Sequence, residues 1–107
     1  MVTAACGCGF PKSGPAPGPL SPEAVSAATA RWPETSEAQL QSGRDLFVAK
    51  CNQCHSYPDV TAIEDERWTE ILSRMGKKAE LDEGQTEAVR RFVRAARADL
   101  LKKKSGS

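Results

Sequence analysis

Cys51-Asn52-Gln53-Cys54-His55 decides how this chain is read. Two cysteines separated by two residues and followed at once by a histidine form the attachment signature of a c-type haem. The spacing suits the chemistry. Two thiols must reach the two vinyl groups of one porphyrin, and the next residue must present an imidazole to the iron from the same stretch of backbone. His55 is the only histidine in the sequence. Two other chemistries also use a Cys-x-x-Cys pair. A thioredoxin-like dithiol belongs in a βαβ setting, and no strand-rich pattern surrounds this one. A zinc site needs a second ligand pair. Only Cys6 and Cys8 could supply it, by folding back a Pro/Gly-rich leader, and their one-residue spacer is wrong for a zinc knuckle. Haem attachment is the leading reading, with zinc and dithiol chemistry as the alternatives.

Length and composition suit a small carrier better than an enzyme. At 107 residues there is room for one domain. A domain this small buries a modest core and commonly needs a covalent or metal staple, which a haem on two thioethers would be. A net charge of +1 gives no electrostatic reason to expect nucleic acid. No run of 18 apolar residues is present to span a membrane.

Residues 1–20 are mostly Gly, Pro, Ala and small polar types, with prolines at 11, 15, 17 and 19. That composition cannot bury apolar surface and predicts a flexible tether of polyproline II character. An accessory helix is expected within 21–34. Ser21 is its N-cap, Pro22 stands at the first helical position, and Val25, Ala28 and Trp32 recur at helical spacing until Pro33 stops the pattern. The pattern leaves its docking open. The main domain is expected over 35–104. Ser36 and Gln39 form a capping box for a helix running to about Lys50, with Leu40, Gly43, Phe47 and Cys51 along one stripe. A further helix is expected from Ile63 to Met75, gathering Trp68, Ile71 and Leu72 on one side, with Gly76 as its stop. Asp82 and Gln85 cap a long last helix with the stripe Val89, Phe92, Val93, Ala96 and Leu100. No alternating strand pattern or internal repeat is present, so the expected fold is all-α.

These motifs resemble the class I cytochrome c family. Gly43-x-x-x-Phe47-x-x-x-Cys51 is similar to that family's N-terminal helix, and Val89-x-x-Phe92 to the C-terminal helix that crosses it. The resemblance covers about residues 36–100 and implies a small helical domain wrapped around one covalent haem c. It implies a His/Met ligand pair, with His55 proximal and Met75 distal; Met1 precedes the leader, so no other methionine is offered. The bland reading of Met75 is a core filler on the Trp68–Leu72 stripe. Asn, Lys77, Lys78 or an open sixth position are the alternatives. Only 20 residues separate His55 from Met75, fewer than in many class I members, so the intervening loop must be abbreviated. Pro58 resembles the family proline whose carbonyl accepts the proximal histidine's Nδ1–H bond, though a turn proline would look the same. Trp68 and Tyr57 could line the haem or bond a propionate. Arg74, Lys77 and Lys78 around Met75 could steer an acidic partner. Glu64-Asp65-Glu66 is a charge cluster, Arg90, Arg91, Arg94 and Arg97 are read as a solvated face, and Lys102-Lys103-Lys104 as a fraying tail.

The function implied is electron transfer with redox-protein partners, no substrate chemistry and no nucleic acid, as a monomer or as a subunit of a redox complex. A haem-based ligand sensor with an open sixth position and an electron-entry subunit of a larger oxidoreductase are the alternatives. In the bacterial families this resembles, thioether attachment occurs outside the cytoplasm, which implies a periplasmic or other extracytoplasmic location. That location implies an export signal. None is visible in the five residues before Cys6, so a truncated start is expected. Thr3-Ala4-Ala5-Cys6 looks like the end of a lipobox that would make Cys6 a membrane tether, with two incidental thiols as the alternative. Cys6 and Cys8 are too close to form a relaxed disulfide with each other.

Overall fold

The computed structural model describes the backbone of residues 12–14, 18–51, 57–58 and 60–106, and the side chains of 18–49 and 60–103. In chain order the elements are β1 (Lys12–Gly14), α1 (Pro22–Arg31), α2 (Glu37–Cys51), β2 (Tyr57–Pro58), a 3-10 turn (Val60–Ala62), α3 (Asp65–Lys78) and α4 (Glu83–Gly106). The described residues are predominantly helical. The exception is a single antiparallel pair between β1 and β2, with Lys12 opposite Pro58 and Gly14 opposite Tyr57.

The helix starts follow from local side-chain chemistry. Ser21 Oγ accepts the Ala24 N–H at 3.1 Å, and Pro22 occupies the first position of α1, where its missing N–H costs nothing. Ser36 Oγ accepts the Gln39 N–H at 3.1 Å and opens α2. At α4 the capping box is reciprocal: Asp82 Oδ1 accepts from Gln85 N–H at 2.7 Å, and Gln85 Oε1 accepts from Asp82 N–H at 2.9 Å.

The bounds of α3 differ from the sequence expectation. Ile63 lies outside the helix, which begins at Asp65 after the 3-10 turn. Gly76 does not stop it. The helix runs on to Lys78 and closes in a Schellman arrangement, with Leu81 N–H bonding Gly76 O at 2.8 Å and Glu80 N–H bonding Lys77 O at 3.1 Å. The left-handed residue of that motif is Glu80, at φ 62°. Gly76 serves packing instead. A Cβ there would stand 2.5 Å from Thr86 Oγ1 and 3.0 Å from Thr86 Cγ2, so α3 and α4 could not approach as closely.

Helix α4 is central and touches α1, α2, α3 and the 3-10 turn. Its crossing with α2 is the tightest contact. A Cβ on Gly43 would overlap the Ala88 carbonyl oxygen and stand 3.0 Å from Phe92 Cβ. One turn along, Phe47 meets Phe92 with ring centroids 6.0 Å apart and planes tilted by 47°. Trp68, Ile71 and Leu72 of α3 and Val89, Val93 and Ala96 of α4 complete this core. Leu100 was expected on the same stripe but is exposed. The reason is length: α4 has 24 residues against 15 in α2 and 14 in α3, so it projects past both.

A second apolar cluster docks α1. Ala28 packs with Leu40 of α2 and Ala95 of α4, sealed by Leu20, Val25 and Trp32. The arginines read as a solvated face are instead partnered. Arg94 donates twice to Asp65, from Nε at 3.1 Å and Nη2 at 2.7 Å, and Arg31 reaches the same carboxylate at 2.7 Å. Arg91 pairs with Glu34, Glu87 and the Thr35 hydroxyl. Arg90 pairs with Glu87 and donates to Ser73 Oγ, and Arg97 Nε donates to Ile63 O at 2.8 Å. Arg31, Arg91 and Arg94 also stand 4.5, 5.2 and 5.4 Å from the centre of the Trp32 ring. Asp65 thus joins α1, α3 and α4. The hydrogen bond from Arg94, with that from Arg31, outweighs partial burial and lowers its carboxyl to about 2.

Two outcomes follow. Gly43→Ala should destabilise the protein by roughly 1–3 kcal/mol despite alanine's better helix propensity, because a backbone carbonyl cannot turn away. Gly76→Ala should cost less, since Thr86 can rotate; thermal melts of the two variants check the order, and an unchanged midpoint for Gly43→Ala would deny the crossing. The second outcome concerns acid. Because the folded Asp65 carboxyl is depressed, its stabilisation is present above its ordinary value of 3.8 and is lost as pH falls toward about 2. Asp65→Asn should therefore remove on the order of 2 kcal/mol at neutral pH and flatten the acid limb between about pH 4 and 2. Urea midpoints across that window measure it.

Candidate cofactor-attachment site

Helix α2 delivers the chain to the Cys-x-x-Cys-His run. Cys51 is its last residue, four positions after Phe47 and thus one turn, about 6 Å, farther along the same helical stripe. Residues Asn52, Gln53, Cys54 and His55 lie outside the described residues, as does the side chain of Cys51. The chain is described again at Tyr57 and Pro58, whose backbone forms β2; their side chains are not described, so the expected carbonyl bond from Pro58 to His55 lies outside the described residues.

Met75 shares a cavity with Phe47, the residue one turn before Cys51. With Phe47, Leu46, Leu72, Leu81 and Val89 it lines an apolar cavity of about 50 Å³ between α2, α3 and α4. Its surroundings are chemically suited to a haem face. A thioether is a soft ligand, and the described lining is apolar apart from Thr86, with no carboxylate, imidazole or amine among the described residues. The donor set of two thiols, one imidazole and one thioether fits a c-type haem. The cavity bounded by described residues has the volume of one or two waters and is far smaller than a porphyrin.

The placing of Met75 differs from expectation in one respect. Since α3 continues through Gly76 to Lys78, Met75 sits inside the helix rather than at a turn. It is half-buried and packs on the main core beside Leu81. Trp68 is fully buried, and its indole N–H is taken by the Val60 carbonyl at 2.9 Å. It does not line the cavity with Met75. That bond fixes the 3-10 turn to α3, so Trp68 acts as core and its N–H is committed within the chain. Sequence reading missed Leu46, Leu81 and Thr86 as cavity residues. Leu81 had a signal: an apolar residue just past a Schellman turn packs back on the last turn of its helix.

Arg74, Lys77 and Lys78 are exposed on α3 near this cavity. Among the described residues, no group of three or more His, Cys, Asp or Glu side chains is arranged to hold a metal ion. No described helix is long and apolar enough to cross a membrane. The sequence matches no protein-family model, no curated protein and no solved structure.

Proposed function

We propose that this protein is a monohaem c-type electron carrier, with the haem held by Cys51 and Cys54, His55 as proximal ligand and Met75 as distal ligand. What supports the reading is a junction. The attachment run leaves α2 one turn after Phe47, and Phe47 and Met75 line one apolar cavity. When bound, the haem supplies reversible one-electron chemistry at iron. The chain's own residues set the conditions for it. Leu46, Phe47, Leu72 and Val89 keep water from the Met75 side, and both an apolar surround and a thioether ligand raise a reduction potential. Among the described lining residues, none has a side chain able to take or give a proton near neutral pH.

The partners would be redox proteins. Arg74, Lys77 and Lys78 offer an acidic partner a complementary face. The location would be extracytoplasmic, where thioether attachment is carried out in the families the sequence resembles, with Cys6 as a membrane tether if it is lipidated. An electron-entry subunit of a larger oxidoreductase would use the same haem. The second reading, a ligand sensor with an open sixth position, is favoured by one observation: Met75 packs on the core from within a continuous helix rather than from a free turn.

One preparation separates these readings. Protein matured in a haem-attaching bacterial host should gain the mass of one haem that survives acid–acetone extraction. Its oxidised spectrum should show the weak near-infrared sulfur-to-iron charge-transfer band, and Met75→Ala should lose that band and admit carbon monoxide. Covalent haem without the band, in wild type that already binds carbon monoxide, would replace the carrier with the sensor. Extractable haem, or none, would sink both.

A further inference from the structure

Helix α1 packs over the seam between α2 and α4, where Ala28 meets Leu40 of α2 and Ala95 of α4. The fully buried side chains of α1 are two alanines, Ala24 and Ala28, whereas Leu20, Val25 and Trp32 are only partly buried. Leu20, just ahead of the helix, lines a small cavity with Leu40 and Phe92. The seam is thinly filled. A cleft of about 160 Å³ remains between α1 and α4, floored by Ala24, Ala27, Ala28, Ala95 and Ala98. Methyl groups facing methyl groups bury little area, so apolar packing holds α1 less firmly than the core of Phe47, Trp68, Leu72 and Phe92 holds the other helices.

Charge supplies what the alanines do not. Arg31, in the last turn of α1, donates from Nη2 to Asp65 Oδ2 at 2.7 Å and lies 4.5 Å from the centre of the Trp32 ring. Arg94 of α4 holds the same carboxylate with two bonds of its own, at 3.1 and 2.7 Å. Those two bonds stay within the α3–α4 frame. Arg91 of α4 bonds Glu34 and Thr35 just past α1 and pins the chain there, so a pivot falls between Trp32 and Glu34. Of these ion pairs, only that of Arg31 has to break for α1 to leave.

We propose that α1 is a lid over the α2–α4 seam, latched by the Arg31–Asp65 pair, that opens as a unit while the three longer helices stay folded. Ten residues are too few to keep a helix alone in water, so release melts α1 and frees its amides in one event. Open, the lid uncovers Leu40 and Ala95, which are otherwise buried on α2 and α4. The Arg31 side chain is 40 % exposed, so added salt screens the latch and loosens the lid. The lid stands whether or not the Cys51–His55 run carries a haem.

Arg31→Gln removes the latch and leaves both Arg94–Asp65 bonds in place. Amide hydrogen exchange in the full chain reads the result at both ends of α1, where Val25 N–H bonds Ser21 O at 2.9 Å and Trp32 N–H bonds Ala28 O at 2.8 Å. Val93, fully buried in α4, is the internal control. In the wild type both α1 amides should be less protected than Val93. In the variant their protection factors should fall together by about fivefold, with Val93 unchanged. Wild-type α1 amides as protected as Val93 would overturn the lid. So would a variant in which α1 protection is unchanged, falls at Trp32 alone, or falls equally at Val93.

Discussion

The close crossing of α2 and α4 at Gly43 is the constraint on which the rest of the structure depends. With no Cβ at that position, α2 comes down onto the Ala88 carbonyl, and Phe47 and Phe92 meet one turn away. A glycine inside a helix is unfavourable by up to about 1 kcal/mol relative to alanine, so local preference does not explain it. Close approach does. Once that contact is made, the end of α2 has a fixed position, and with it the residue at which the attachment run begins.

A second glycine repeats the device. Gly76 lets α3 lie on α4 at Thr86, and Met75 beside it then joins Phe47 in lining one apolar cavity. Two close helix approaches, one against the Ala88 carbonyl and one against Thr86, thus set how α2 and α3 lie on α4.

Charge joins the outer helix to this frame. Asp65 accepts from Arg94 of α4 and Arg31 of α1, and three guanidinium groups surround the Trp32 ring at the end of α1. Ion pairs that are exposed contribute little, but these share one partly buried carboxylate and a common aromatic neighbour. The accessory helix is held by Ala28 on Leu40 and Ala95 underneath and by this charged belt at its end.

The sequence by itself determined the helices, three of their starts and most of their inward faces, because caps and apolar periodicity are local; the start of α3 and the exposure of Leu100 were not among them. Ser21, Ser36 and the Asp82–Gln85 box begin helices as their chemistry requires, and Gly43, Phe47 and Phe92 were legible as a crossing. The Cys-x-x-Cys-His run is read as a cofactor motif from its spacing, and beyond the Cys51 backbone it lies outside the described residues. Tertiary structure decided what distance along the chain conceals. Gly76 read as a stop because glycine ends many helices, yet its neighbour across the fold is Thr86, and Glu80 takes the left-handed turn instead. Arg90, Arg91, Arg94 and Arg97 read as solvated because polar residues off an apolar stripe usually are, but their partners lie mostly on other elements. Trp68 read as core or as a donor to a propionate, and the Val60 carbonyl takes its N–H. A side chain's type is fixed by the sequence, but its partner is chosen only when the helices meet.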